Sequence, residues 1–234
     1  MKIRVIWNVI LCYLKIRKTL PKDFIRSRIE QENNDPLIDI SYCSEFFFKE
    51  NIPFPVMIRK GTYNILLSAT QKLPEGMHFK IYDAYRSAEE QKDRWEKRLQ
   101  ETRKEHPNTS HTELIRLTRL KVAQPDGSGY GGHQTGGAVD ITICDQSGHE
   151  LDMGGQISFF DKRSETSNKY ITPLQLKNRM LLKNVLENAG FKNYPREWWH
   201  YSYGDKMWAA YSFKKKAFYG LNHPRLVLNR SNTR

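Results

Sequence analysis

Two short segments concentrate the residue types that bind metals and move protons. One is Gly131-Gly132-His133-Gln134-Thr135-Gly136-Gly137-Ala138-Val139-Asp140; the other is Glu197-Trp198-Trp199-His200. Two imidazoles and a carboxylate make a three-ligand set of the kind catalytic zinc uses, with a fourth position left for water. Glycines around His133 let the backbone turn tightly between two ligands. Asp140 interrupts the apolar run Ala138 to Cys144, where an isolated charge is costly unless it is paired or metal-bound. Glu197 precedes His200 by three residues and can stand beside the metal without ligating it. There it can take a proton from metal-bound water, whose pKa falls to about 7, and pass it to a leaving amine. Each residue also has a plainer reading: a surface histidine, a turn or cap aspartate, a surface pair beside two core tryptophans. Joined, they form one complete ligand set, for one zinc per chain, plus a base.

These residues need elements to position them. Strands are expected over His78–Tyr85, Gly137–Cys144 and Trp198–Tyr203. A helix is expected from about Arg59 to Leu73, stopped by Pro74. Ser87-Ala88-Glu89-Glu90 reads as a capping box opening a helix that runs to about Glu105. Another helix is expected over Thr112–Val122. A fourth starts with Thr172 as cap and Pro173 at the first helical position, and ends at Gly190. In it Leu174, Leu176, Met180, Leu181, Val185 and Leu186 form an apolar core stripe. Strands and helices alternate irregularly, which argues for α+β with an antiparallel sheet rather than a doubly wound fold.

The 234 residues suffice for one domain with its own core plus an extension. Residues 1–36 read as that extension, with Asn33-Asn34-Asp35-Pro36 as the linker, and residues 37–234 as the domain. The apolar stretch Val5–Leu14, between Lys2, Arg4 and the run Lys15-Ile16-Arg17-Lys18, is too short to span a bilayer. It resembles a signal region without a small-residue cleavage site, or a peripheral amphipathic helix; a cytoplasmic or periplasmic location stays open. A formal charge of +12 favours anionic surroundings such as a cell wall or membrane surface. No nucleic-acid module is present and no nucleic acid is expected as a partner. Three cysteines without a CxxC argue against a disulfide framework and a cysteine zinc site; Cys144 reads as core.

The spacing His133-x-x-Gly136-x-Ala138-x-Asp140, followed by Glu197-Trp198-Trp199-His200, resembles the zinc D-alanyl-D-alanine peptidases. It is most similar to the D-Ala-D-Ala dipeptidases known from vancomycin resistance. Tyr82-Asp83-Ala84-Tyr85-Arg86, Leu151-Asp152-Met153-Gly154, Phe159-Phe160-Asp161, Arg163-Ser164, Asn178-Arg179, Ala189-Gly190-Phe191 and Tyr203-Gly204-Asp205 extend the likeness from about Ile38 to Tyr211. The resemblance implies the fold shared with the DD-carboxypeptidases and the Hedgehog signalling domain, a central antiparallel sheet flanked by helices. It implies zinc on His133, Asp140 and His200, Glu197 as general base and acid, and Arg86 as oxyanion stabiliser. A structural ion pair with Asp83 is the plainer reading of Arg86. Two positions depart from the family: Gly131 stands where serine is usual, and Ser158 where an aspartate binds the substrate amino terminus. Both touch substrate recognition. The expected activity is hydrolysis of D-Ala-D-Ala or a related short D-peptide. The alternatives are a peptidoglycan DD-carboxypeptidase or endopeptidase, and a non-catalytic metal-bearing binding module.

Overall fold

The run Ala138 to Cys144 forms a strand whose residues are buried on both faces, and the molecule is organised around it. The computed structural model describes residues 3–14, 17–125 and 132–221, with the backbone of a strand at 226–227. The helices are α1 (Ile3–Tyr13), α2 (Lys22–Arg26), α3 (Lys60–Thr70), α4 (Ala88–Glu105), α5 (His111–Thr118), α6 (Pro173–Ala189) and α7 (Lys206–Tyr211). The strands are β1 (Ile29–Glu30), β2 (Leu37–Asp39), β3 (Phe46–Phe48), β4 (Met57–Arg59), β5 (Met77–Asp83), β6 (Ala138–Asp145), β7 (Lys192–Asn193), β8 (His200–Ser202), β9 (Lys216–Ala217) and β10 (Leu226–Val227).

The main sheet has the order β3-β5-β6-β8-β7. The four strands from β5 to β7 pair antiparallel, as the α+β reading expects. The edge strand β3 departs from it and lies parallel to β5, because the chain crosses over through β4 and α3 before re-entering the sheet. Smaller sheets join β10-β2-β4 and β1-β9. Phe79 and Ile81 of β5, Val139, Ile141 and Ile143 of β6, and Leu66, Ala69, Leu182 and Leu186 from α3 and α6 fill one core with Trp198, Trp199 and Tyr201.

The expected capping box of α4 and the expected Thr172 cap of α6 are both present, and the Thr172 cap is itself a capping box. Ser87 with Glu90 opens α4, and Thr172 with Gln175 opens α6 behind Pro173. Helix α3 is shorter than expected at its C-terminal end. Helix α5 begins one residue early, because Ser110 accepts from the Glu113 N–H and caps it. Strand β8 covers only His200–Ser202, since Trp198 and Trp199 belong to the turn before it. The α6 stripe also shifts: Leu174 is exposed, while Leu182 and Arg179 are buried.

The stretch before Leu37 makes specific contacts with the rest of the chain. Strand β1 pairs parallel with β9. Arg59, fully buried, donates to Glu32 Oε1 and Oε2 at 2.9 and 2.8 Å, to the Thr135 carbonyl at 2.7 Å and to the Asp35 carbonyl. Asp35 in turn accepts from the Gly61 N–H and the Tyr219 hydroxyl.

Candidate metal centre

Strand register builds the site. Asp140 of β6 stands opposite Asp83 of β5 on one side and His200 of β8 on the other. His133 enters from a 3-10 turn, His133–Thr135, just before β6. The turn ends at Gly136, whose φ of 73° is a left-handed conformation, and a Cβ there would lie 2.6 Å from Leu37 Cδ2. At the next residue, Gly137, a Cβ would meet the Tyr203 carbonyl at 2.2 Å. The glycines therefore let the turn pack between Leu37 of β2 and Tyr203, the residue after β8, which brings the imidazole over Asp140.

The ligand atoms of His133, Asp140 and His200 all lie within 4.8 Å of one another. Asp140 Oδ1 is 3.0 Å from His200 Nδ1 and 3.3 Å from His133 Nε2. The two rings meet edge to face with centroids 4.9 Å apart. His133 Nδ1 lies 2.6 Å from the Ala84 carbonyl, an acceptor only, so that nitrogen carries the proton and Nε2 turns its lone pair to the cluster. His200 Nε2 faces the Ser202 hydroxyl at 3.4 Å, which leaves Nδ1 toward Asp140. Burial, then the Arg86 charge, lowers the His133 pKa and favours the neutral ring. Burial is the largest single influence on His200 and opposes its charged form, but the Asp140 hydrogen bond and the charges of Asp140, Glu197 and Asp205 together overcome it and raise that pKa. Burial likewise opposes ionisation of Asp140, and the two imidazoles overcome it, holding the carboxyl well below the usual range. A neutral His133 ring and an ionised Asp140 are the forms a metal needs, and a cation bound there would take the place of the proton that His200 shares with Asp140.

Arg86 lies where β5 gives way to α4, after a register shift between Ile81 and Asp83. Its Nε and Nη2 donate to Asp83 Oδ2 at 2.9 and 2.8 Å, and Nη1 donates to Gln91 Oε1 at 3.2 Å. The Asp83 ion pair is thus present, and Nη2 is also 3.7 Å from Asp140 Oδ2. Arg94 adds a second cation to Asp83 at 3.0 Å.

Glu197 stands in the cleft wall with Arg86, His133, Asp140 and His200. Its N–H donates to the Tyr194 carbonyl, and its carbonyl accepts from the His200 N–H and Asn193 Nδ2, which fixes the turn before β8. Burial pushes its carboxyl up to about 7; Asp140 adds to the shift, and His200 and Arg86 oppose it.

Ser158 also lines the cleft, on a loop where its φ is 64°. Gly131 lies outside the described residues. The cleft, about 800 Å³, contains residues that motif reasoning passed over. Asp83 entered only as a rival partner for Arg86, although its position three residues earlier marked it. Ser202 and Asp205 support His200, and Asp205 is buried and raised in pKa mainly by that burial. At the mouth stand Lys22 and Arg26 of α2, Arg119 after α5, and Arg196. Among the described residues no carboxylate ion-pairs with Lys22 or Arg196. The chain carries no local signal for this rim, whose members come from three separate stretches.

A profile of the family Peptidase_M15, described as D-Ala-D-Ala dipeptidase, matches residues 57–218. A D-alanyl-D-alanine dipeptidase of Synechocystis sp. is 39% identical over 89 residues, 33% of this chain and 36% of that protein. One from Enterococcus faecium is 33% identical over 102 residues, 43% of this chain and 47% of that protein. The chain therefore aligns with less than half the length of these curated relatives. Among solved structures, the LdcB LD-carboxypeptidase is similar with a TM-score of 0.44 at 24% identity, over 83% of this chain and 75% of that one. A variant of the vancomycin-resistance D,D-pentapeptidase VanY in complex with Zn(II) gives 0.43 at 18% identity, over 82% of this chain and 95% of that one.

Proposed function

This chain belongs to the Peptidase_M15 family of D-Ala-D-Ala dipeptidases, and from that premise we propose that it is a zinc-dependent hydrolase of D-Ala-D-Ala or a related short D-peptide. One observation carries the reading: the buried His133–Asp140–His200 cluster lies in the same cleft as Glu197 and Arg86. The donor set fits zinc, with three protein ligands and a further position open to the cleft. The Ala84 carbonyl and the Ser202 hydroxyl hold the two rings with the right nitrogens turned inward. When bound, zinc supplies Lewis acidity, polarising the scissile carbonyl and lowering the pKa of a water to about 7.

The chain's own residues supply the remainder. Glu197, with a carboxyl poised at about 7, takes a proton from the attacking water and returns it to the departing amine. Arg86 holds a fixed positive charge beside the cluster, where the carbonyl oxygen of the substrate becomes negative. Asp83 and Gln91 keep the guanidinium from swinging away.

A second reading, a carboxypeptidase or endopeptidase acting on longer wall peptides, is favoured by the cationic cleft mouth. Lys22, Arg26, Arg119 and Arg196 suit a substrate with anionic groups beyond the scissile dipeptide. Burial, then the charges of Arg196, Arg26 and Arg119, lowers the Lys22 pKa, so these cations sit close enough to repel one another. Ser158, which offers a hydroxyl and no charge, agrees with weaker capture of a free amino terminus.

Product analysis on three substrates tests both readings: free D-Ala-D-Ala, a pentapeptide ending in D-Ala-D-Ala, and cross-linked wall fragments. Zinc-loaded protein is expected to split the dipeptide. Glu197→Gln is expected to lower the rate roughly 10²–10⁴-fold with zinc retained. Release of D-Ala from the pentapeptide without dipeptide cleavage selects the second reading. A protein that keeps its zinc and hydrolyses none of the three overturns both.

A further inference from the structure

Away from the cleft, α1 presents two apolar sides. Its inner side, Val5, Val9 and Cys12, packs against Leu20, Phe24 and Ile25 and against Met207 and Ala210 of α7. Its outer side carries Ile3, Ile6, Trp7, Ile10 and Tyr13, continued by Leu14, and all six are exposed, Ile3 by 76% and Trp7 by 61%. Their spacing places them on one helical stripe. The stripe continues off the helix, because the Tyr13 ring meets Phe213 edge-on at a centroid distance of 5.7 Å, and Phe213 is exposed as well. Phe213 leads directly into Lys214-Lys215-Lys216, all exposed. In the sequence, Lys2, Arg4, Lys15 and Arg17 flank the stripe with no Asp or Glu among the first 17 residues, while Lys18 pairs with Glu165 and Lys22 stands at the cleft mouth.

Single exposed apolar residues are ordinary, whereas a contiguous stripe marks a contact surface. Among the described residues no helix is long and apolar enough to cross a membrane. At 11 residues, α1 is about 16 Å long, roughly half a bilayer core. A short helix with an apolar outer face, interfacial Trp and Tyr, and flanking lysines instead fits in the plane of a lipid surface. The four cations beside the stripe and the exposed Lys214-Lys215-Lys216 select anionic lipid over neutral lipid.

We infer that α1 and the Phe213–Lys216 segment seat this protein on an anionic phospholipid surface, with the stripe at the acyl boundary and the lysines among the phosphates. The inference is independent of the peptidase chemistry.

Tryptophan fluorescence reads this face directly. Trp95, Trp198, Trp199 and Trp208 are at most 7% exposed, which leaves Trp7 as the exposed one of five. The full-length protein would be titrated with phosphatidylcholine vesicles, with and without phosphatidylglycerol, some carrying brominated acyl chains. Binding is expected to be at least about tenfold tighter to the anionic vesicles, with blue-shifted Trp7 emission, quenching by the brominated chains, and weakening in molar salt. Trp7→Glu with Ile10→Glu is expected to abolish binding. Lys215→Glu with Lys216→Glu, which leaves the apolar face and the Lys214 contact with the Trp208 ring intact, is expected to weaken it about tenfold without moving the melting temperature. Equal binding to neutral vesicles, an unquenched Trp7, or an unchanged affinity in the lysine variant would overturn the inference. So would a dimer in light scattering that Ile10→Glu dissolves, which would make a second copy the occupant.

Discussion

The Arg86 guanidinium faces two ways, toward Asp83 through Nε and Nη2 and toward Asp140 through Nη2. The structural ion pair and the position in the cleft, rival expectations in the sequence, are one geometry: the pair aims the charge. Replacement by alanine is therefore expected to cost roughly 10²–10³ in kcat. Asp83 would keep Arg94 as a partner, so the melting temperature should move little. Arg86→Lys restores charge but not the planar fork, and should recover only part of the rate. Steady-state kinetics beside zinc content and thermal melts checks all three outcomes. At this scale the sequence was most legible: His133, Asp140, His200, Glu197, Arg86 and Ser158 all reach one cleft. Lys22, Arg119 and Arg196 were not legible, because their meeting depends on tertiary packing rather than spacing.

Among elements, those with local chemistry were legible and those closed by distant pairing were not. Helices α4 and α6 start where Ser87 and Thr172 accept from the third residue on, a signal contained within four residues. The parallel pairing of Ile29 with Lys216, and of β3 with β5, has no such local mark. The cap of α6 also anchors the Leu151–Gly154 loop. Gln175 Nε2 donates to Asp152 Oδ2 at 2.9 Å, Asn178 donates to the Asp152 carbonyl, and the buried Arg179 donates to the Met153 carbonyl at 2.6 Å. The Gln175 hydrogen bond, then the Gly154 N–H, lowers the Asp152 pKa. A carboxylate held lower in the fold than in the unfolded chain stabilises above its unfolded pKa, near 4, and that contribution is lost as pH falls through the folded value. Asp152→Asn is expected to be less stable than the wild type at neutral pH, with the gap narrowing below about pH 4, as followed by urea unfolding across pH.

For the whole molecule, the stretch before Leu37 ties into the site. Glu32 binds the fully buried Arg59, and Arg59 donates to the Thr135 carbonyl of the turn that carries His133. Glu32→Ala leaves a buried guanidinium without its carboxylate and is expected to cost about 3 kcal/mol in denaturant unfolding. Composition marked residues 1–36 as an extension because charges and a turn motif dominate them. A single buried ion pair spanning 27 positions is invisible to composition.

The ladder of Asp83, Asp140 and His200 across β5, β6 and β8 has a kinetic consequence. Asp140 and His200 are 60 positions apart in the chain, and the Gly136 turn that carries His133 rests against Leu37 of β2 and Arg59 of β4. The donor set does not exist in any local fragment. Loop closure over such separations comes before the contacts that reward it, so the sheet must close before the ion finds its cage. During synthesis, the nascent chain gains its metal affinity only after residue 200 has emerged and β8 has zipped onto β6. Capture of the ion is then a terminal step of maturation, and partly made chains have no intact cage with which to compete for the cell's zinc.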